Sequence, residues 1–107
     1  MVDIMGMMNK AQAMQAKLQE AQEELAQVNV EGQSGGAMVR VTLTAKGVMK
    51  AIYLDPSLLI PSDKEIVEDL ILAAYADAKG KADRVAAEKM QAVMAGMPLP
   101  PGMKLPF

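Results

Sequence analysis

The chain has 107 residues, a net charge of −2, and neither cysteine nor histidine. These absences exclude disulfides, remove the usual ligands of zinc, haem and iron–sulfur clusters, and exclude catalysis by a cysteine or by a histidine-activated nucleophile. Carboxylates alone could still do acid–base chemistry, but they fall on predicted helix surfaces. The composition therefore favours a binding protein over an enzyme, with no cofactor, no metal and no small-molecule substrate.

The acidic balance limits the possible partners. The pI is about 5.0, so nucleic-acid binding requires the cations to be segregated on one part of the surface. Two tyrosines, one phenylalanine and no tryptophan disfavour base stacking, and with it single-strand or RNA recognition. Eleven methionines are typical of an adaptable core or helix seam, or alternatively of a promiscuous binding face.

No targeting or membrane segment is visible in the sequence. The N-terminus has no basic stretch followed by a sustained apolar one, and the longest apolar run, residues 70–76, is too short to cross a bilayer. We therefore expect a cytoplasmic protein without a membrane partner.

Residues 3–28 predict one long helix. Their apolar residues recur at alternating spacings of three and four, which is the seam pattern of a coiled coil. The seam residues are Ile4, Met7, Ala11, Met14, Leu18, Ala21, Leu25 and Val28. Asp3 is a candidate N-cap.

Residues 29–55 predict a β-meander. Val39, Val41 and Leu43 alternate with polar residues, which indicates a strand with one buried face. A turn at Lys46-Gly47 leads into a returning strand, and a weaker first strand precedes Gly35. Three antiparallel strands with one apolar face need a helix or a second sheet to cover them.

Residues 62–95 predict a second long helix. Ser62 and Glu65 match a capping box at its start. Its apolar stripe comprises Val67, Leu70, Ile71, Ala74, Ala78, Ala82, Val85, the stem of Lys89, and Val93. The charged positions off this stripe, including Lys81 and Arg84, are expected to be solvated.

Residues 96–107 predict an extended, proline-rich tail. Four prolines exclude a helix there. The apolar residues between them favour docking over disorder, with Leu105 and Phe107 buried.

The helix lengths predict a homodimer. The two helices would be roughly 39 and 50 Å long, whereas a compact domain of this size is roughly 26 Å across. The projecting helical parts and the uncovered sheet face need burial, and a closed two-fold pair is the commonest solution. The chain is thus expected to be one α+β domain, residues 1–107. Whether the seam of the first helix packs within or between subunits stays open.

The sequence resembles the YbaB/EbfC family of bacterial nucleoid-associated proteins over nearly its whole length. The matching segments are 8–15 (MNKAQAMQ), 30–36 (VEGQSGG), 52–59 (IYLDPSLL) and 99–107 (LPPGMKLPF). The resemblance implies a tweezer-like homodimer whose helical arms project from a shared β core. It also implies that the protein binds double-stranded DNA with little sequence preference. Through this binding it would organise the nucleoid and modulate gene expression.

The resemblance also implies which residues bind DNA, because cations near the arm tips are thought to meet DNA in the family. The corresponding residues are Lys10, Lys17, Lys81, Arg84 and Lys89. Lys81 matches best, since it follows the segment Ala76-Asp77-Ala78. Two departures from the family pattern are Gly80 within the second helix and Ala45 in the hairpin turn.

A second function remains open. The chain could be a protein-interaction adaptor near DNA-repair or replication machinery that docks partners through its methionine-rich arms or its tail. Segregated cations on the arms favour DNA, whereas neighbouring acids such as Asp83 and Glu88 favour the adaptor.

Overall fold

A computed structural model describes residues 3–95 of the chain. Its elements are α1 (Ile4–Leu25), β1 (Asn29–Ser34), β2 (Val39–Thr44), β3 (Met49–Leu54) and α2 (Lys64–Ala95), with short 3-10 turns at Pro56–Leu58 and Pro61–Asp63. This order confirms the α+β fold of a long helix, a three-stranded antiparallel meander and a second long helix. The predicted tail, 96–107, with Leu105 and Phe107, lies outside the described residues.

Helix α1 has the expected N-cap, and the chain after its last residue forms a tighter, 3-10-like turn. The Asp3 carboxylate accepts a hydrogen bond from the Gly6 N–H at 3.0 Å. At the other end, the Gln27 and Val28 N–H groups bond to carbonyls three residues back, which tightens the last turn. Val28 then accepts from the Ala45 N–H. The helix therefore ends at Leu25, three residues before its predicted end.

The core lies between one face of the sheet and α2. The strands are in the order β1-β2-β3. Val39, Val41 and Leu43 on the central strand are fully buried, as are Ala74 and Ala78 on α2. Helix α2 packs over β1 and β2 rather than over β3. The face of β2 that was predicted to be buried is therefore buried, and it packs against the predicted apolar stripe of the second helix.

A glycine sets the distance between α2 and the sheet. A β-carbon on Gly32 would lie 2.2 Å from the Ala74 carbonyl oxygen and 2.2 Å from the Ala78 backbone nitrogen. Only a residue without a side chain allows this approach. By contrast, apart from its chain neighbours and the adjacent backbone of α2 itself, no atom lies within 4 Å of a β-carbon placed on Gly80.

The predicted capping box at the start of α2 is wrong. Pro61 opens a 3-10 turn whose N-cap is Ile60, without a side-chain cap bond, and α2 follows from Lys64. Proline suits the first position of a helical turn because it has no N–H to satisfy. Ser62 is therefore already inside the turn and cannot precede it as a cap.

The molecule is strongly elongated. Its principal extents are 73 × 25 × 16 Å and its radius of gyration is 20.1 Å, against about 13 Å for a compact domain of this length. Both helices therefore project beyond the sheet, as their lengths predict. No helix within residues 3–95 is both long enough and apolar enough to span a membrane.

Alanine substitutions at Gly32 and Gly80 should change the stability of the protein in opposite directions. Gly32→Ala should lower the free energy of unfolding by about 1–3 kcal/mol, because the new methyl group meets backbone atoms of α2 that cannot move aside. Gly80→Ala should raise it by up to about 1 kcal/mol, because alanine restricts the unfolded chain and has free space in the helix. Urea unfolding of both variants measures this, and the same sign for both would contradict the packing described.

Candidate nucleic-acid interface on the helical arm

A two-helix arm extends from the sheet. We define the arm as α1 together with residues 82–95 of α2. The two helices run antiparallel, with Lys89 paired to Glu24 and Ala21 and Leu25 buried. The sheet-proximal part of the α1 seam therefore packs within the subunit, against the chain's own second helix.

The distal part of α1 is not covered by α2. The groove between the helices places Val93 beside Lys17 and Ala21. Because the helices are antiparallel, the start of α1 extends beyond the end of α2 at Ala95. Ile4 and Met7 in this distal part are 68% and 61% exposed.

The five candidate DNA-binding residues fall into two groups. Lys10, Lys17 and Arg84 are exposed, and among residues 3–95 none of these three has a carboxylate within salt-bridge distance. Lys81 and Lys89 are each held by an internal partner. The five are spread over two helices, and the structure does not gather them into one cluster.

Lys81 helps to close one edge of the sheet. Val28 is hydrogen-bonded to Ala45 across the first two strands. In an antiparallel ladder every second residue bonds to the neighbouring strand, so the N–H and C=O groups of Glu31 and Gln33 point away from β2. Lys81 Nζ donates to the Glu31 carbonyl oxygen at 2.8 Å. Lys81 is therefore exposed, as expected, but its ammonium group is also held by the main chain of β1.

Asp77 completes this closure. Its carboxylate accepts from the Gln33 N–H at 3.0 Å and lies 3.3 Å from Lys81 Nζ. The backbone bond from Gln33, and then the bond from Lys81, lower the pKa of Asp77 below its usual 3.8. Both bonds favour the charged carboxylate.

Three further cations lie on the sheet and its hairpin. The Arg40 guanidinium is 4.3 Å from the ring centroid of Tyr53, on the sheet face opposite α2. Its Nε is buried without a hydrogen-bond partner in the described part of the chain. Lys46 and Lys50 are exposed on the β2–β3 turn and on β3. The sequence did not predict this group. Arg40 and Tyr53 are adjacent only because of the pairing register of β2 with β3, which the sequence pattern alone does not give.

Acidic residues are absent from most of α1 but dense at the other end of the molecule and in the sheet-proximal part of the arm, where Glu20, Glu23, Glu24, Asp83 and Glu88 lie. Residues 63–69, at the sheet end of α2, contain four acids and one lysine. Lys64 pairs there with Glu68. Residues 4–19 of α1, in contrast, contain Lys10 and Lys17 and no acid. The overall net charge therefore hides a positive arm tip and a negative sheet end.

The Asp77 contact predicts a pH dependence of stability. A carboxylate whose pKa is lower in the folded state stabilises the fold above its unfolded pKa, and that contribution is lost as pH falls through the folded value. Asp77→Asn should therefore lower the melting temperature at pH 7, and the gap to the wild type should narrow below pH 3.8. Asp69→Asn, on the same helix, serves as the control. A gap for Asp77→Asn that stays constant down to pH 2 would contradict this role.

Comparisons with known proteins agree with this architecture. Residues 1–97 match the model of the YbaB/EbfC DNA-binding family. Proteins named nucleoid-associated protein, from Methylocella silvestris and Rhizobium meliloti, are each 55% identical to this chain over the full length of both chains.

A solved structure shares the fold. The crystal structure of an uncharacterized protein from Helicobacter pylori has a TM-score of 0.71 and 22% identity, and the match covers 91% of this chain and 98% of that one. The family match and the full-length relatives together identify the chain as a member of the YbaB/EbfC family, which is a family of DNA-binding proteins and not of enzymes.

Proposed function

We propose that this protein is a homodimer that binds double-stranded DNA through the cations of its arm, with little sequence preference, and helps to organise the nucleoid. The segregation of charge carries the proposal. Lys10 and Lys17 lie in a stretch of α1 that contains no acid from Ile4 to Gln19, and Arg84 is exposed nearer the sheet, while the five acids of the arm all lie in its sheet-proximal part. Such an arm can approach phosphates although the whole chain is acidic.

Contacts to phosphate explain the low sequence preference. Arg84 is the one arginine on the described arm, and bidentate reading of guanine is mainly an arginine contact. Lysines act as point charges and position a protein on the DNA backbone without reading bases. The remaining candidates, Lys81 and Lys89, are tied to internal partners and would contribute less.

The uncovered strand β3 supports the homodimer. Ile52 pairs with Val41, so both side chains face the α2 side, yet Ile52 is 47% exposed and Val41 is fully buried. Leu59 and Ile60, just after β3, are 65% and 51% exposed. An apolar group of this kind beside a strand is best buried against a second copy.

The free edge of β3 adds to this interface. The Asp55 N–H bonds to the Met38 carbonyl, so ladder alternation directs the main-chain groups of Ile52 and Leu54 away from β2. Unpaired edge groups are a template for another strand. We infer that two copies meet at β3, with the two arms projecting from a shared β core.

One observation favours the adaptor as the second candidate. Met5, Met7 and Met8 at the start of α1 are 75%, 61% and 57% exposed, and exposed methionines suit adaptable protein contacts. The DNA titration described next separates the two functions, because an adaptor would not bind random DNA in a strongly salt-dependent manner.

The DNA prediction concerns salt dependence and two cations. Binding to random duplex DNA should weaken with salt with a slope equivalent to about three to six phosphates. Lys10→Ala combined with Arg84→Ala should lower affinity at low salt at least tenfold and make the slope shallower, as measured by mobility shift at several salt concentrations.

The matched control is Lys64→Ala, which removes a cation paired to Glu68 at the sheet end and should leave DNA binding unchanged. Lys81 is avoided because its substitution would disturb β1. If the wild type binds no DNA at low salt, or if the double variant binds like the wild type, the arm does not bind DNA and the adaptor replaces it.

The dimer prediction concerns Ile52. The wild type should sediment as a dimer at micromolar concentration, and Ile52→Lys should shift it to the monomer by burying a charge in the interface. Leu72→Lys is the control, because Leu72 is 67% exposed on the side of α2 away from the sheet. A monomeric wild type, or an Ile52→Lys dimer as tight as the wild type, would contradict a β3 interface.

A further inference from the structure

The regular part of the β3 edge is short. Residues 51–54 pair with β2 in unbroken register, whereas Lys50 is an extra residue that bulges out of the ladder. Beyond the other end of the strand, Pro56 starts a 3-10 turn and has no N–H to donate. Another strand can therefore form regular hydrogen bonds only with residues 51–54.

Symmetry restricts how a second copy can use this edge. A two-fold axis between two β3 edges pairs the strands antiparallel, because a parallel ladder needs a stagger that a two-fold axis does not give. The main-chain groups that point outward from residues 51–54 are those of Ile52 and Leu54, since Asp55 bonds to Met38 on β2 and the direction alternates along the strand. Outward groups of one copy must therefore lie opposite outward groups of the other.

The bulge and the proline decide between the possible registers. If Ile52 faced the partner's Ile52, Leu54 would face the bulged Lys50. If Leu54 faced the partner's Leu54, Ile52 would face Pro56, which cannot donate a bond. With Ile52 opposite the partner's Leu54, both symmetry-related pairs exchange N–H and C=O bonds within the regular stretch.

We propose that two copies pair in this last register, so that Tyr53 faces the partner's Tyr53 across the two-fold axis. The register rests on the β3 homodimer of the proposed function and specifies which residues meet in it. Tyr53 bonds to β2 in the alternating ladder, so it occupies a non-hydrogen-bonded position toward the second copy. Opposite Cα atoms at such a position are only about 4.5 Å apart.

The side chains on both faces of the paired strands fit this register. On the face opposite α2, Tyr53 is 42% exposed, and the Arg40 guanidinium lies over its ring. Aromatic pairs at facing positions stabilise antiparallel strands, and each tyrosine would be held from the far side by its own Arg40. On the α2 side, Ile52 comes beside the partner's Leu54, so apolar side chains meet apolar side chains.

Single cysteines test the register, because the chain contains none. Tyr53→Cys would place two thiols opposite each other, within the Cα separation that a disulfide spans. The matched control is Ala51→Cys, which is exposed on the same strand and the same face. Its two copies would lie about 14 Å apart along the strands, too far for a disulfide. Equilibration of each full-length variant in a glutathione buffer gives the effective concentration of its thiol pair, and sedimentation gives its oligomeric state.

The register predicts an effective concentration at least about tenfold higher for Tyr53→Cys than for Ala51→Cys. Equal values, or a higher value for Ala51→Cys, in variants that sediment as dimers would overturn the register while leaving the homodimer in place. A monomeric wild type would overturn the β3 homodimer and the register together.

A second measurement leaves Tyr53 intact. Ile52→Cys and Leu54→Cys are mixed in equal amounts, allowed to exchange subunits and then oxidised. The mixed disulfide between positions 52 and 54 should exceed each symmetric disulfide about tenfold, because only the mixed pair lies face to face. A symmetric Ile52→Cys or Leu54→Cys disulfide as the main product, or a random mixture of the three, would overturn the register.

Discussion

The contact of Gly32 with the backbone of Ala74 and Ala78 is the constraint on which the rest of the structure depends. It lets α2 lie directly against β1, with alanines and not larger side chains at the interface. A helix placed over β1 and β2 cannot also cover β3. The same placement carries the second half of α2 past the sheet, where α1 packs against it and forms the arm. One close approach thus determines both the covered core and the projecting helices.

The two edges of the sheet are consequently different. At the β1 edge, Asp77 and Lys81 bond to the main chain of Gln33 and Glu31, so this edge is closed to further strands. At the β3 edge, Ile52 keeps nearly half of its surface exposed. A sheet with one closed and one open edge can pair with a single copy of itself and cannot extend into a fibre. This asymmetry favours a closed dimer over open-ended association.

Much of the fold was predictable because it follows from local periodicity. The alternation through Val39, Val41 and Leu43 and the helical stripe through Ala74 and Ala78 each repeat with the period of their element. What the sequence did not reveal depends on contacts between distant segments. The bond between Lys81 and Glu31 joins residues fifty positions apart. Nothing local distinguishes Lys81 from Arg84, which is also exposed but has no carboxylate within salt-bridge distance among residues 3–95. Likewise, the seam of α1 is uniform in sequence, and only the end of α2 determines which part of it is covered.

The charges follow the same division between local pattern and tertiary contact. A pI near 5.0 argues against DNA binding only if the charges are evenly mixed, and here they are not. Glu65, in the first turn of α2, stabilises that turn through the helix dipole, far from the arm tip. On the arm, internal pairing of Lys89 with Glu24 removes one cation from the surface that could meet phosphate. The remaining positive surface is small, so its attraction to DNA should be weak in each subunit. Joining two such arms in one dimer would then raise the overall affinity by making the second contact intramolecular.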